Sequence, residues 1–100
     1  MKVFLDDERP TPEGWVRAFW PEEVIALLKT GEVTELSLDH DLGDDARSGY
    51  DVLTWLEEQA FEGTLRMPEI TIHSANAAGR QRMAAAVRSI HRFVQAKKQP

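Results

Sequence analysis

The sequence TELSLDHDLGDD (residues 34–45) turns from an apolar segment into an acidic loop within a few residues. Thr34–Leu38 has the pattern of a short buried strand. Asp39, His40 and Asp41 follow it directly, so a carboxylate cluster with a histidine comes at the carboxyl end of this strand. Ligands bind at such strand ends in open α/β sheets, which makes this cluster a candidate site.

The same pattern occurs at two other predicted strands. Lys2–Leu5 is an apolar run that stops at an acidic pair, and Glu69–Ile72, which follows Pro68, leads into a polar turn. Any single Asp at a strand end is more often structural, but three polar clusters at one sheet edge favour metal or phosphate binding. The first strand is followed by Asp6, Asp7, Glu8 and Arg9. The other is followed by His73, Ser74 and Asn76.

Helical segments separate the strands. Pro21 suits a first helical position, Ser48 with Asp51 forms a capping box for a helix through about Ala60, and Met83 begins a helical stripe near the C-terminus. Alternating strands and helices predict an α/β three-layer sandwich with a small, mostly parallel sheet of about four strands. If residues 16–19 pair beside the first strand, the strand order is 2-1-3-4.

Composition predicts one domain over residues 1–100. The chain has no cysteine, which excludes disulfides and thiolate metal sites, and it shows neither a signal peptide nor an apolar run long enough for a membrane. We therefore expect a cytoplasmic protein. Residues 1–70 hold all 17 acidic residues, whereas residues 71–100 hold 6 of the 12 basic ones. The basic end either contacts phosphate groups or only solvates a last helix.

Crowded carboxylates raise one another's pKa unless a cation neutralises them, so the acidic strand ends predict a divalent metal such as Mg²⁺. His40 could ligate metal, bind phosphate or act as a general acid or base, or it could point away, since it alternates with Asp39. His73 faces either the site or the neighbouring strand end. Ser74 and Asn76 precede a helix whose amide groups bind anions or are simply capped, and Arg80 lies in its opening turns.

Four segments together carry a family resemblance. They are LDDERPTPEGW (5–15), LSLDHDLG (36–43), SGYDVLTWLE (48–57) and ITIHSANAAGRQRM (70–83). In this order and spacing they resemble the cyclic-phosphate processing receiver domains, a branch of the receiver superfamily. The resemblance covers residues 1 to about 90 and implies a truncated receiver-like, flavodoxin-like fold.

The resemblance also implies roles for residues at the strand ends. Asp6 and Asp7 match the acidic pair of receivers, Asp39 the phospho-acceptor and Ser74 the hydroxyl, with Mg²⁺ or Mn²⁺ as cofactor. The chain departs from ordinary receivers because it lacks room for the first helix and has no fifth strand or matching lysine. The implied sites are metal ligands Asp6, Asp7, Asp39 and Asp41, catalytic residues Asp39, His40 and His73, and phosphate-binding residues Arg9, Ser74, Asn76 and Arg80.

Three functions remain open from the sequence. The first is a metal-dependent phosphoesterase that acts on cyclic phosphates of nucleotides or RNA ends, with a phosphate-containing small molecule or nucleic-acid end as its partner. The second is a signalling receiver that accepts a phosphoryl group on Asp39. The third is a non-catalytic module that binds a nucleotide or a protein. The edge at Glu69–Ile72 is expected to be covered by the C-terminal helix or by a second copy in a homodimer, with no membrane partner.

Overall fold

A computed structural model describes residues 1–40, 47–63 and 65–98 of the chain. Its four strands form one parallel sheet in the order β2-β1-β3-β4. The predicted receiver-like α/β fold and its strand order are therefore confirmed. The elements in chain order are β1 (Lys2–Leu5), β2 (Val16–Ala18), α1 (Pro21–Leu28), β3 (Glu35–Leu38), α2 (Gly49–Glu62), β4 (Glu69–Ile72) and α3 (Ala77–Lys98).

Local sequence signals set the starts of the first two helices. Pro21 occupies the first position of α1, where its missing N–H costs nothing. Ser48 Oγ accepts a hydrogen bond from the Tyr50 N–H at 3.2 Å, and the Asp51 carboxylate accepts one from the Ser48 N–H at 3.0 Å. The predicted capping box of α2 is thus confirmed, and Gly63 in the left-handed conformation ends the helix.

The hydrophobic core lies between the helices and one face of the sheet. Val3, Leu5, Leu36 and Leu38 are fully buried on that face. The helix α2 contacts both α1 and α3, so all three helices lie on the same side of the sheet. Buried residues that the helices add to the core include Val24, Leu28, Val52, Leu53, Leu56, Met83 and Ile90.

The opposite face of the sheet carries no helix within the described residues. Both helical crossovers run in the same direction across the sheet, and right-handed connections then place their helices on one side. Phe4, which alternates with Val3 and Leu5, is the large apolar residue of this second face and is only 7% exposed. The Trp15 ring covers it edge-on at 6.3 Å, so the loop before β2 supplies the cover.

The rest of that face is polar. Lys2 and Glu35 form an exposed ion pair across β1 and β3 with 3.9 Å between Nζ and Oε1, and Thr71 of β4 is exposed. This alternation of apolar and polar residues explains why one helical layer is enough to bury the apolar surface of the sheet.

The strand β4 is an edge of the sheet in the part of the chain that the structure describes. It pairs with β3 on one side, and α3 packs against it from the helical face. Ile70 and Ile72 are only half-buried there. That a second copy covers this edge stays a prediction. Among the described residues, no helix has the length and apolar character needed to cross a bilayer.

Candidate functional site

The strands β1, β3 and β4 end at the same level of the sheet. Leu5 is in register with Leu38, and Leu38 with Ile72. The ladder continues one residue further, since the Asp39 N–H donates to the Leu5 carbonyl at 3.0 Å and the His73 N–H to the Leu38 carbonyl at 2.9 Å. Asp39 and His73 therefore lie beside Asp6. Because side chains alternate along a strand, all three side chains are on the polar face of the sheet.

Three carboxylates meet at this edge. Asp6, Asp7 and Asp39 each offer an oxygen, and these atoms all lie within 4.8 Å of one another. Asp6 is buried, and the other two are half-buried. Three of the four predicted metal ligands are thus brought together, whereas Asp41 lies outside the described residues. Hard oxygen donors at this spacing suit Mg²⁺ or Mn²⁺, which fits the donor set expected from the sequence.

Asp6 is fixed by the turn that follows β1. Its Oδ1 accepts hydrogen bonds from the backbone N–H groups of Glu8 at 2.7 Å and Arg9 at 2.8 Å. Burial alone would raise the pKa of this carboxyl, but the two backbone bonds and His73 outweigh it and hold the pKa of Asp6 below its usual value. Asp6 is therefore an ionised, oriented carboxylate at neutral pH.

His73 lies between Asp6 and the strand β3. Its Nε2 is 3.0 Å from Asp6 Oδ2, and its Nδ1 is 2.6 Å from Ser37 Oγ. Its ring stacks on Phe4 with the centroids 4.3 Å apart and the planes 3° from parallel. Burial lowers the pKa of His73 more than Asp6 and Asp39 raise it, so the ring is neutral at pH 7.

These two pKa shifts predict a pH dependence of stability. The folded pKa of His73 lies below its ordinary value of 6.5, so the unfolded chain takes up this proton first as the pH falls. The contribution of the neutral ring is complete above about pH 6.5 and is lost as the pH falls through the folded pKa. The contribution of Asp6, whose pKa is also lowered, is present above 3.8 and is lost at still lower pH.

Urea unfolding of the EDTA-treated protein at pH 7.5 and 5.5 measures the His73 contribution. We expect the wild type to lose up to about 1.4 kcal/mol per pH unit per proton taken up, and His73→Gln to lose less over the same interval. Equal pH slopes in the two proteins would show that His73 does not carry this effect.

Asp39 is positioned from the side of α2. The Gly49 N–H, at the start of this helix, donates to the Asp39 carbonyl at 3.0 Å. A Cβ atom on Gly49 would overlap this carbonyl oxygen and would lie 2.9 Å from Met83 Cε. The helix can therefore approach the backbone of Asp39 this closely only with glycine at position 49.

His40 turns toward α3 rather than joining the three carboxylates. Within the described residues, the group of possible metal ligands contains Asp6, Asp7 and Asp39 without His40. A Cβ atom on Gly79 would lie 2.6 Å from the His40 ring, so the imidazole packs closely on the backbone of the first turn of α3. Of the two orientations that the sequence left open for His40, the structure therefore shows the one that points away from the three carboxylates. Whether His40 acts in catalysis stays a prediction.

The predicted phosphate-binding residues have local roles in the structure. Ser74 Oγ accepts from the Asn76 N–H at 3.2 Å, and Asn76 Oδ1 accepts from the Gly79 N–H at 2.8 Å, which caps α3. Arg9 Nη1 donates to the His73 carbonyl at 3.1 Å, and its Nε is 3.9 Å from Asp6 Oδ2. Arg80 is exposed in the first turn of α3. Phosphate binding by these four residues stays a prediction.

Sequence reasoning missed Ser37 and Phe4. Both lie on the polar face of the sheet, where Phe4 and Ser37 are partners in the parallel register, and both contact the His73 ring. The signal was present in the chain: Ser37 is a polar residue between buried leucines, two positions before Asp39. Alternation along β3 alone would have put Ser37 and Asp39 on one face.

The family model of cyclic-phosphate processing receiver domains matches residues 1–89. The chain belongs to this family. No curated protein and no solved structure matches it at a significant level. The match includes every strand, the helices α1 and α2, and the first half of α3.

As a cyclic-phosphate processing receiver domain, the chain keeps the acidic pair and the Asp39 position of receivers. Its lysines, however, do not follow a strand end: Lys2 begins β1, Lys29 follows α1, and Lys97 and Lys98 end α3. The receiver lysine is thus missing from the sequence of this receiver domain, while His73 is bonded to Asp6 at the fourth strand end.

Proposed function

We propose that the domain is a divalent-metal-dependent phosphoesterase that hydrolyses cyclic phosphates of nucleotides or RNA ends. The observation that carries this proposal is the convergence of Asp6, Asp7 and Asp39, with oxygens within 4.8 Å of one another, at the strand ends of a chain from a cyclic-phosphate processing family. Three carboxylates this close concentrate oxygen donors and negative charge at one point, so the arrangement suits a divalent ion.

Asp6, Asp7 and Asp39 would hold Mg²⁺ or Mn²⁺. The bound ion would supply charge to polarise a phosphoryl oxygen and to lower the pKa of a water molecule. Asp6 is prepared for this role, because two backbone N–H groups and His73 fix its carboxylate before any ligand arrives. Such prior orientation reduces the entropy cost of binding.

Arg9 and Arg80 are the cations that we assign to the phosphate group. The side chain of Arg9 is about half exposed, at 49%, and it lies beside Asp6 at the edge of the site. Its guanidinium has donors left for phosphate oxygens after the bond to the His73 carbonyl, since an arginine offers five N–H groups. Ser74 and Asn76 shape the turn from which α3 begins.

We assign proton transfer to His40. His73 is bonded through its two ring nitrogens to Ser37 and Asp6, and we assign to it the orientation of Asp6. His40 directly follows the candidate ligand Asp39 and is half-buried against α3. Histidine is the side chain most often used for general acid–base catalysis near neutral pH.

Hydrolysis of cyclic nucleotides tests this function. We expect the protein with Mn²⁺ or Mg²⁺ to open 2′,3′-cyclic nucleotides to monophosphates, to lose this activity in EDTA and to regain it when Mn²⁺ is restored. Calorimetry measures metal binding separately. Absence of turnover on 2′,3′- and 3′,5′-cyclic nucleotides, in protein that binds the metal, would contradict the catalytic proposal and favour a binding module.

A phospho-accepting receiver is the second candidate. The observation that favours it is the position of Asp39 beside the acidic pair, as in receivers. Incubation with acetyl phosphate would then add one phosphoryl group, which mass spectrometry detects and which Asp39→Asn abolishes. The lack of a lysine after a strand end speaks against this candidate, because receivers use that lysine in their phosphorylation switch.

A further inference from the structure

A chain of side-chain contacts leads from the middle of β3 to the candidate metal ligand Asp6. Ser37 Oγ lies 2.6 Å from His73 Nδ1, and His73 Nε2 lies 3.0 Å from Asp6 Oδ2. We propose that Ser37 is a positioning residue for Asp6 and acts through the His73 ring. This inference deepens the proposed function and rests on it, since it concerns the orientation of a metal ligand.

The positions of the protons follow from the partners. An ionised carboxylate only accepts hydrogen bonds, so His73 Nε2 must carry the hydrogen that points to Asp6. The second nitrogen of a neutral imidazole has no hydrogen and can only accept. The Ser37 hydroxyl is therefore the donor to Nδ1, and its bond holds the ring in the orientation that presents Nε2–H to Asp6.

The His73 ring is held in place on its other sides. Phe4 stacks against its face, the His73 N–H bonds to the Leu38 carbonyl, and the His73 carbonyl accepts from Arg9. The stacking fixes the plane of the ring, but a half-turn of the ring about its Cβ–Cγ bond keeps that plane and would put a carbon in place of Nε2. The bond from Ser37 to Nδ1 opposes this rotation, after which Asp6 would lose a donor that keeps its Oδ2 in place.

The orientation of Asp6 by His73 is expected to affect the metal affinity of the three carboxylates. Asp6 has one oxygen fixed by the backbone of Glu8 and Arg9, while its second oxygen depends on His73. Partners that orient a metal ligand from behind typically change metal affinity by roughly 10- to 100-fold when removed. Ser37 is two contacts from Asp6, so we expect an effect near the lower end of this range.

Variants of Ser37 separate positioning from general stability. Ser37→Ala removes the donor, Ser37→Thr keeps the hydroxyl, and Thr71→Ala changes the Cα partner of Ser37 on the same face of the sheet. Thr71 is exposed, so its variant is a matched control for loss of a hydroxyl there. Ser37 is a small residue, and thermal unfolding checks that each variant folds.

Two measurements decide the proposal. Nitrogen NMR of the imidazole in metal-free protein at pH 7.5 should show a hydrogen-bonded Nδ1 of His73 in the wild type, in Ser37→Thr and in Thr71→Ala, and a shifted Nδ1 resonance in Ser37→Ala. Mn²⁺ titration should show affinity about 10-fold weaker in Ser37→Ala alone. An unchanged Nδ1 resonance together with unchanged affinity in Ser37→Ala would overturn the proposal, as would an equal loss of affinity in Thr71→Ala.

The two readouts also separate this inference from the proposed function. If the wild type bound no divalent metal, the proposed function would fail, while NMR would still decide whether Ser37 donates to His73 Nδ1. If the wild type bound Mn²⁺ and hydrolysed cyclic phosphates but Ser37→Ala behaved like the wild type in both measurements, the positioning role alone would fail.

Discussion

Asp39→Asn is expected to reduce hydrolysis of a 2′,3′-cyclic nucleotide by at least about 100-fold, because loss of metal-based charge stabilisation costs several kcal/mol of transition-state energy. Asp39 is one of the three carboxylates whose oxygens lie within 4.8 Å of one another. Asparagine has nearly the same shape but no charge, so the change removes an anionic ligand and leaves the end of β3 otherwise intact. Initial rates with saturating Mn²⁺ measure the effect.

Glu8→Gln is the matched control for Asp39→Asn. Glu8 is an acidic residue next to the pair, but its side chain is exposed and only its backbone N–H contacts Asp6. We expect this variant to keep nearly the wild-type rate. A similar loss of activity in both variants would show that the effect comes from net charge. Full activity in Asp39→Asn would show that Asp39 is not part of the catalytic site.

Gly49→Ala has the second large expected effect, because it acts on the backbone of Asp39. The added methyl group would overlap the Asp39 carbonyl oxygen and would press on Met83, which is fully buried. Overpacking of this kind typically costs about 1–3 kcal/mol. Since a helix start and a strand end must separate to admit the methyl group, we also expect weaker Mn²⁺ binding. Urea unfolding and Mn²⁺ titration measure the two effects.

Gly31→Ala separates these two consequences. Gly31 has a φ of 78°, so alanine is strained there, but a Cβ atom at this position meets no neighbour within 4 Å. We expect a loss of about 1–2 kcal/mol in stability from the backbone conformation, with Mn²⁺ affinity unchanged. Equal Mn²⁺ affinity in Gly49→Ala and Gly31→Ala would show that the contact at Asp39 does not position the site.

The elements of the fold could be predicted from the sequence because their signals are local. Pro21 marks the start of α1, and Ser48 with Asp51 marks the start of α2, each through contacts within three residues. The strand order followed from the short connection after β1, which has no crossover helix. The convergence of Asp6, Asp7 and Asp39 followed from the rule that parallel strands bring their carboxyl ends to one edge.

The contacts that orient the site could not be predicted in the same way, because they join distant parts of the chain. Ser37 and His73 meet only after β3 and β4 are in register, and no local pattern shows which ring nitrogen meets which partner. The role of Gly49 depends on the approach of a helix to a strand end. The placement of α1 and α2 on one side of the sheet depended on the direction of the two crossovers, and α3 joins them there through its contacts with α2.

The hydrogen bond between Asp6 and His73 has a consequence for folding, since it joins residues 67 positions apart in sequence. It ties the first strand of the chain to the last, and neither strand can detach without separating the two side chains. Local opening of β1 therefore removes Asp6 and Asp7 from the carboxylate cluster, and local opening of β4 removes the histidine that orients Asp6. A ligand bound there should accordingly slow hydrogen exchange in β1 and β4 together, even though they are not neighbours in the sheet.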